Sequence, residues 1–162
     1  MADRRLTTEQ LLTLLTEAPN RIGALTADLA PAQLRTPILG EWSLNDILAH
    51  LRACADQWGG CIAAMISQDE PTLRAVNPRS WIKNTNYRQL EFRLSFRAFA
   101  KQRAELLAVL EALPPKDWSR AATVTGAGAV LRRTVFFYAQ WLATHERSHV
   151  KQITRMVNTL QR

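Results

Sequence analysis

Four long segments of the chain repeat apolar residues at the spacing of an α-helix. Apolar side chains recur three and four residues apart in each segment, which is typical of a helix that buries one face. The segments cover residues 7–29, 43–67, 87–113 and 131–160. Helices of this kind bury their apolar stripes against one another. The sequence therefore predicts an all-α fold, a four-helix bundle, in a single domain that spans residues 1–162.

Local sequence signals mark the starts of the first two helices. Thr7 and Gln10 fit a capping box, in which each side chain binds a free backbone N–H of the first turn. Ser43 is a suitable N-cap, and Asp46 follows it in the first turn, where a carboxylate suits the helix dipole. Pro19 lies inside the first segment, and we expect it to kink that helix or to open a second turn.

The connecting segments are rich in residues that interrupt helices. Residues 31–42 contain Pro31, Pro37 and Gly40 and are predicted to form a loop. Residues 123–129 contain two glycines and are also predicted to form a loop. The sequence has no internal repeat and no clear pair of strands.

Composition is consistent with a globular protein of the cytoplasm. Hydrophobic residues make up 47% of the chain and charged residues 22%, so a core can form without disulfides. Cys54 and Cys61 lie seven positions apart on one predicted helix, a rise of roughly 10 Å, whereas a disulfide needs Cα atoms within about 7 Å. The first residues lack the apolar region of a signal peptide, and no apolar run is long enough to span a membrane. We expect a cytoplasmic protein with no membrane partner.

The positive charge is concentrated in one part of the chain. The formal net charge is +7, and residues 74–103 hold 8 basic side chains and 1 acidic one. Within that segment, Arg93, Arg97 and Lys101 recur every four residues on one helix face, which is typical of a solvated surface. Alternatively, they bind a carboxylate-bearing substrate, a thiol cofactor or phosphate. No sequence motif of a nucleic-acid-binding module is present, so we expect no specific nucleic-acid partner.

The three histidines of the chain carry the strongest functional signal. His145 and His149 lie one turn apart within the core-facing stripe of the fourth helix, which would bring two imidazoles onto one ion. His50 borders the apolar stripe of the second helix and is the only other histidine. Buried imidazoles need partners, either hydrogen bonds within the core or a shared ion. Convergence of all three favours a divalent-metal site in the bundle core.

Residues 145–149, His-Glu-Arg-Ser-His, also match the zinc-protease motif in which the glutamate acts as general base. That interpretation requires a third ligand after the second histidine. Residues 150–162 contain no His, Asp, Glu or Cys, which excludes it for this sequence. We expect Glu146 instead to orient a histidine or to form an ion pair on the helix flank.

Three further side chains are candidates near such a site. Tyr138 lies on the same face as His145, and Gln152 follows His149, so both are weak candidates for orienting a bound ligand. A core aromatic with a satisfied hydroxyl is an equal interpretation of Tyr138. Cys54 lies one turn after His50, and a His-Cys chelate is geometrically possible, but a small apolar role is more common for a buried cysteine.

Two motifs together resemble the DinB-like metalloprotein superfamily. They are residues 40–51, Gly-Glu-Trp-Ser-Leu-Asn-Asp-Ile-Leu-Ala-His-Leu, and residues 145–153, His-Glu-Arg-Ser-His-Val-Lys-Gln-Ile, within a likeness that runs from about Leu11 to Met156. The resemblance implies a homodimeric four-helix bundle with a divalent ion, zinc or nickel, held by His50, His145 and His149. It also implies a transferase or isomerase that uses a low-molecular-weight thiol such as mycothiol or bacillithiol.

The most concrete functional expectation is a metal-dependent enzyme. Three neutral imidazoles leave a divalent ion with at least one open coordination position, as in catalytic sites. We expect the transfer of a low-molecular-weight thiol to an electrophilic small-molecule substrate, with carboxylates of the thiol bound by the basic residues at 93, 97 and 101. The alternatives are a metal-dependent hydrolase and a non-catalytic metal-binding protein of a stress response.

Overall fold

The long helices of the computed structural model are the four that the apolar periodicity predicts. The model describes residues 4–38 and 40–162; the predicted domain and the predicted loop at 31–42 include residues 1–3 and 39, which lie outside that range. The helices are α1 (Thr8–Thr26), α2 (Pro31–Arg35), α3 (Leu44–Ser67), α4 (Pro78–Trp81), α5 (Phe92–Glu111) and α6 (Val135–Leu160). Short 3-10 turns cover Ile82–Asn84 and Pro115–Ser119.

The capping box predicted at Thr7 and the N-cap predicted at Ser43 are both present, and Ser43 also forms a capping box with Asp46. The amide of Gln10 donates to Thr7 Oγ1 at 3.1 Å, and Gln10 Oε1 accepts the Thr7 amide at 2.9 Å. The amide of Asp46 donates to Ser43 Oγ at 3.1 Å, and Asp46 Oδ2 accepts the Ser43 amide at 3.1 Å. These contacts fix the starting residues of α1 and α3, and hence which residues of each helix face the core.

α1 continues through Pro19 as one helix, so the expected second turn is wrong. Proline has no N–H, which leaves the carbonyl of Leu15, four residues earlier, without its helical partner. The guanidinium of Arg103 on α5 donates to that carbonyl at 3.0 Å. A side chain from another helix thus replaces the hydrogen bond that the proline removes.

The four long helices pack as a bundle around two groups of buried apolar residues. α6 contacts both α1 and α3, and α5 also contacts both of these helices. On α6, residues 135–143 belong to one apolar cluster and residues 150–157 to the other. His145 and His149 lie between these two stretches of the helix. The bundle architecture predicted from the sequence is confirmed.

A small three-stranded sheet accompanies the helices, which corrects the expectation that no strands pair. Its strands are β1 (Thr72–Arg74), β2 (Ala121–Thr125) and β3 (Leu131–Thr134), in the order β1-β2-β3. β1 is parallel to β2, and β2 is antiparallel to β3. Gly126 and Gly128, in the turn between β2 and β3, both have φ of +86°, a conformation that other residues rarely adopt.

Three helix boundaries differ from the sequence prediction. α5 begins at Phe92 rather than at residue 87, because the Glu91 carboxylate accepts the amides of residues 93 and 94 and caps the helix. α6 begins at Val135 rather than at residue 131, because Thr134 caps it and residues 131–134 form β3. α1 ends at Thr26, and α2 lies within the predicted loop.

Two further features of the fold are the state of the cysteines and the hydropathy of the helices. Cys54 and Cys61 are both free thiols, as their spacing predicts. Within the described part of the chain, no helix combines the length and the apolar character of a membrane span.

Candidate metal centre

The three histidines meet between α3 and α6. His50 on α3 is buried, and His145 and His149 on α6 are half-buried. The Nε2 atom of His145 lies 3.2 Å from Nε2 of His50 and 3.2 Å from Nε2 of His149. One nitrogen from each ring lies within 4.8 Å of the others. The convergence inferred from the helical phases is therefore present.

Tryptophans form walls on two sides of the cluster. The ring centroid of Trp42, just before the Ser43 cap, lies 5.3 Å from that of His50. The ring of Trp58 meets His145 edge to face at 5.0 Å and contacts Trp141 at 5.7 Å. These indoles shield the imidazoles from water and restrict their rotation.

The surroundings keep the histidines neutral. Burial lowers the pKa of His145 to about 3 and that of His50 to about 4, and the neighbouring imidazole of His149 adds to both shifts. Burial also lowers the pKa of His149, against the opposing effect of its hydrogen bond to Gln152. All three rings are deprotonated at neutral pH, which is the form that binds metal ions.

Hydrogen bonding leaves the Nε2 lone pair of His149 free to face the cluster. Its Nδ1–H donates to Gln152 Oε1 at 2.8 Å, the outer contact typical of metal-binding histidines. Nδ1 of His145 is buried and has no hydrogen-bond partner within the described residues.

The donor set and its spacing fit a divalent ion. Three neutral Nε2 atoms cannot all satisfy one another, since a single N–H on the central ring serves only one neighbour. An ion accepts all three lone pairs at once. Tetrahedral zinc with Zn–N bonds of about 2.0–2.1 Å places its ligand nitrogens roughly 3.3 Å apart, close to the two separations of 3.2 Å that involve His145.

A cavity of about 440 Å³ opens beside the cluster. It is lined by Gly40, Glu41, Trp42, Arg79, His149 and Gln152. The guanidinium carbon of Arg79 lies 5.8 Å from the centroid of the Trp42 ring. Arg79 was missed in the sequence analysis. The sequence marks Arg79 only as one of the eight basic residues of segment 74–103. The sequence does not indicate which of these eight residues lies near the histidines.

Glu146 has a different environment from the one predicted. It is 1% exposed, and both of its carboxylate oxygens accept hydrogen bonds from the equally buried guanidinium of Arg103. The ion pair was expected, but its position on the helix flank is wrong because α5 covers this side of α6. Sequence periodicity within α6 gives no information about which residue of another helix covers it.

Tyr138 lies in the core rather than in the cavity beside His149. It belongs to a buried apolar cluster, and its ring packs against Phe137 at 5.4 Å. Burial, together with its hydroxyl contact to Cys61, raises the pKa of Tyr138 to about 12. These contacts fit the interpretation of Tyr138 as a core aromatic.

The basic stripe on α5 does not line the cavity next to His149. Arg93 donates to the Thr26 carbonyl at 2.5 Å and so binds the last turn of α1. Lys101 pairs with Glu105 at 3.3 Å, and Arg97 is exposed. The structure therefore does not bring together the histidines and the residues expected to bind the carboxylates of a thiol.

Cys54 lies next to the cluster without belonging to it. Its Sγ is 3.7 Å from Nε2 of His50, but the group of mutually close ligand atoms contains only the histidines. Burial raises the pKa of the Cys54 thiol to about 12. A protonated, buried thiol fits the apolar interpretation of this residue.

The fold and the histidine cluster define a DinB-like helical bundle, and the family comparison agrees. The model of the DinB superfamily matches residues 14–153, so the chain belongs to this superfamily. No curated protein sequence is significantly similar to the chain.

Two solved structures share the fold. YfiT from Bacillus subtilis, described as a probable metal-dependent hydrolase with an unusual four-helix bundle topology, has a TM-score of 0.79 at 16% identity, over 99% of this chain and 93% of YfiT. The colibactin self-resistance protein ClbS, solved in complex with double-stranded DNA, has a TM-score of 0.66 at 10% identity, over 96% of this chain and 95% of ClbS. At these identities the likeness is one of fold.

Proposed function

We propose that the chain binds one divalent metal ion, zinc or nickel, through Nε2 of His50, His145 and His149. The observation that carries this proposal is the convergence of three imidazole nitrogens from two helices, with His145 Nε2 3.2 Å from both of the others and all three within 4.8 Å. Within this site, Gln152 holds the Nδ1–H of His149 and so directs the opposite nitrogen toward the ion.

Elemental analysis of protein purified without chelator tests the metal site. We expect about one ion per chain in the parent protein and loss of nearly all of it in His149→Ala, because two imidazoles bind far more weakly than three. Ser148→Ala is the matched control, since Ser148 directly precedes His149 on the same helix and is exposed. Equal metal content in His149→Ala and Ser148→Ala would contradict the assignment.

We propose further that the chain is an enzyme that transfers a low-molecular-weight thiol to an electrophilic small-molecule substrate. A divalent ion with an open coordination position holds a bound thiol as the reactive thiolate at neutral pH. The chain's own cysteines are poorly placed to act as nucleophiles, since Cys54 is 2% exposed and Cys61 is half-buried. An external thiol would reach the site through the cavity beside His149.

A metal-dependent hydrolase is the second candidate, and the fold shared with YfiT favours it. The same open position would then take water, whose pKa a divalent ion lowers toward about 7. A non-catalytic metal-binding role in a stress response is the third. Homodimeric assembly and a cytoplasmic location remain predictions from the sequence.

Turnover assays with and without thiol separate these candidates. Metal-loaded protein is incubated with a chlorinated arene in the presence of mycothiol, bacillithiol or glutathione, and with a panel of esters and amides in their absence. Thiol-dependent conjugation that His145→Ala abolishes would support transfer. Thiol-independent hydrolysis abolished by the same substitution would support the hydrolase, and inactivity across both panels would favour the non-catalytic role.

A further inference from the structure

We propose that Arg79 selects ligands that carry a carboxylate next to the group bound at the histidine cluster. The inference rests on the proposed function, since it concerns what the same site accepts. It names the class of ligand, a small molecule with a carboxylate close to its metal-binding group, and the residue that recognises it.

A half-buried carboxylate of α3, that of Asp56, holds the segment that carries Arg79 against the bundle. Asp56 Oδ2 accepts the indole N–H of Trp81 at 3.3 Å and the hydroxyl of Tyr87 at 2.5 Å. Asp56 Oδ1 accepts a hydrogen bond from the side-chain Nε2 of Gln102 on α5 at 2.9 Å. α4 and the turn after it are thereby attached to α3, so Arg79 projects from a defined position.

The side chain of Arg79 lies on the wall of the cavity and is not committed to another residue. Its guanidinium carbon is 5.8 Å from the centroid of the Trp42 ring, and that ring in turn lies 5.3 Å from the ring of His50. In the part of the chain that the structure describes, Arg79 forms no ion pair. Three other cations of the basic segment are paired, Arg88 with Asp46, Lys101 with Glu105 and Arg103 with Glu146.

A second donor lines the same cavity. Gln152 Oε1 accepts the Nδ1–H of His149, which leaves the Gln152 amide N–H groups as donors. No hydrogen bond of that amide nitrogen occurs among the described residues. A guanidinium and an amide facing one small cavity suit a planar oxygen acceptor, which a carboxylate provides.

Glu41 adds a negative charge to the lining of the cavity. It is the acidic member of the lining, and its carboxylate repels an incoming anion. Arg79 attracts a carboxylate, and Glu41 opposes that attraction. The preference therefore depends on Arg79 and should increase when Glu41 is neutralised.

Cobalt-loaded protein gives a readout that does not require turnover. Thiols bound to Co²⁺ produce a thiolate-to-metal absorption band, and its titration gives their Kd. The probes are 3-mercaptopropionate and 4-mercaptobutyrate, each compared with its neutral amide of the same length. We expect the parent protein to bind at least one acid about tenfold more tightly than its amide, a typical effect of one charge-assisted contact.

Substitutions test whether Arg79 causes the preference for the acid over its amide. Arg79→Gln should bind acid and amide within about twofold of each other, and Arg79→Lys should retain part of the preference. Lys83→Gln removes the same charge from the same segment at an exposed residue outside the cavity lining, so it should behave like the parent. Glu41→Gln should bind the acids more tightly. Chelation of cobalt by a probe's own carboxylate is common to all variants and cancels in the comparison.

The outcomes separate the two proposals. Thiol binding to cobalt with no acid preference in the parent, or with the full preference kept in Arg79→Gln, would overturn the role of Arg79 and leave the proposed function standing. Failure to bind cobalt, or a cobalt site that takes no thiol, would overturn thiol binding at this site and the inference with it.

Discussion

Arg103 joins three helices at the centre of the bundle. From α5 it donates to both carboxylate oxygens of Glu146 on α6 and to the Leu15 carbonyl on α1, the acceptor that Pro19 leaves free. The Arg103 and Glu146 side chains are each 2% exposed. We predict that Arg103→Met is among the most destabilising single substitutions outside the apolar core.

The magnitude follows from what the substitution leaves behind. Removing one partner of a buried ion pair costs about 3–5 kcal/mol, because the remaining charge is buried without compensation. An unpaired buried carbonyl, here that of Leu15, adds about 1–3 kcal/mol. We expect the free energy of unfolding to fall by about 4 kcal/mol or more. For a chain of this length each kcal/mol lowers Tm by about 2–4 °C, so Tm should fall by at least roughly 8 °C.

Urea denaturation followed by far-ultraviolet circular dichroism measures this loss. Chelator is present throughout, so that metal binding does not contribute to the difference. Arg103→Met with Glu146→Leu is the informative second variant, because it removes both charges and leaves only the Leu15 carbonyl unpaired. It should be more stable than Arg103→Met alone by about 2 kcal/mol. Lys101→Met, exposed on the same helix, should change stability little.

Two results would refute this reasoning. One is a loss below about 1 kcal/mol in Arg103→Met, which would mean that water reaches the pair and screens it. The other concerns the free energy of unfolding of the double variant. If its loss equals the sum of the losses in Arg103→Met and in Glu146→Leu alone, the two charges do not interact.

Three further predictions concern the thiols and the surface. Cys54→Ser should keep the metal content of the parent, because only histidines form the cluster; a large drop in zinc affinity would show that Cys54 is a ligand. In the folded protein, alkylation of Cys54 and Cys61 measured by mass spectrometry should stay slow from pH 7 to 9, because burial raises the pKa of both thiols, that of Cys54 to about 12; labelling as fast as in urea would contradict this. Any affinity for DNA should be weak, independent of sequence and steeply salt-dependent, and the triple change of Arg93, Arg97 and Lys101 to Gln would locate it; tight, sequence-dependent binding at physiological salt would contradict the prediction.

The parts of the fold that depend on local chemistry were predictable from the sequence. The capping box at Thr7 and the N-cap at Ser43 need only residues within one turn of each other, and the apolar stripes give the buried face of each long helix. The inward direction of His145 and His149 follows from the same periodicity. These features belong to single helices, so no knowledge of tertiary contacts is required.

The parts that depend on distant residues were not predictable. β1 pairs in parallel with β2, so Thr72 meets Thr123 through a connection of about fifty residues, and strands this short carry little signal of their own. The position of Arg79 beside the histidines requires the docking of α4 on Asp56. The partner of Glu146 requires the packing of α5 on α6. Each depends on which surfaces meet, and single-sequence periodicity does not encode that.

The central claim is the metal site formed by the three histidines. The most direct test is a crystal structure of the zinc-loaded protein, with anomalous diffraction data collected on both sides of the zinc absorption edge. The account predicts one anomalous peak per chain, within about 2.0–2.1 Å of Nε2 of His50, His145 and His149, with a fourth position open to the cavity lined by Arg79 and Gln152. A peak coordinated by other residues, or full zinc occupancy in solution with no peak between α3 and α6, would contradict it.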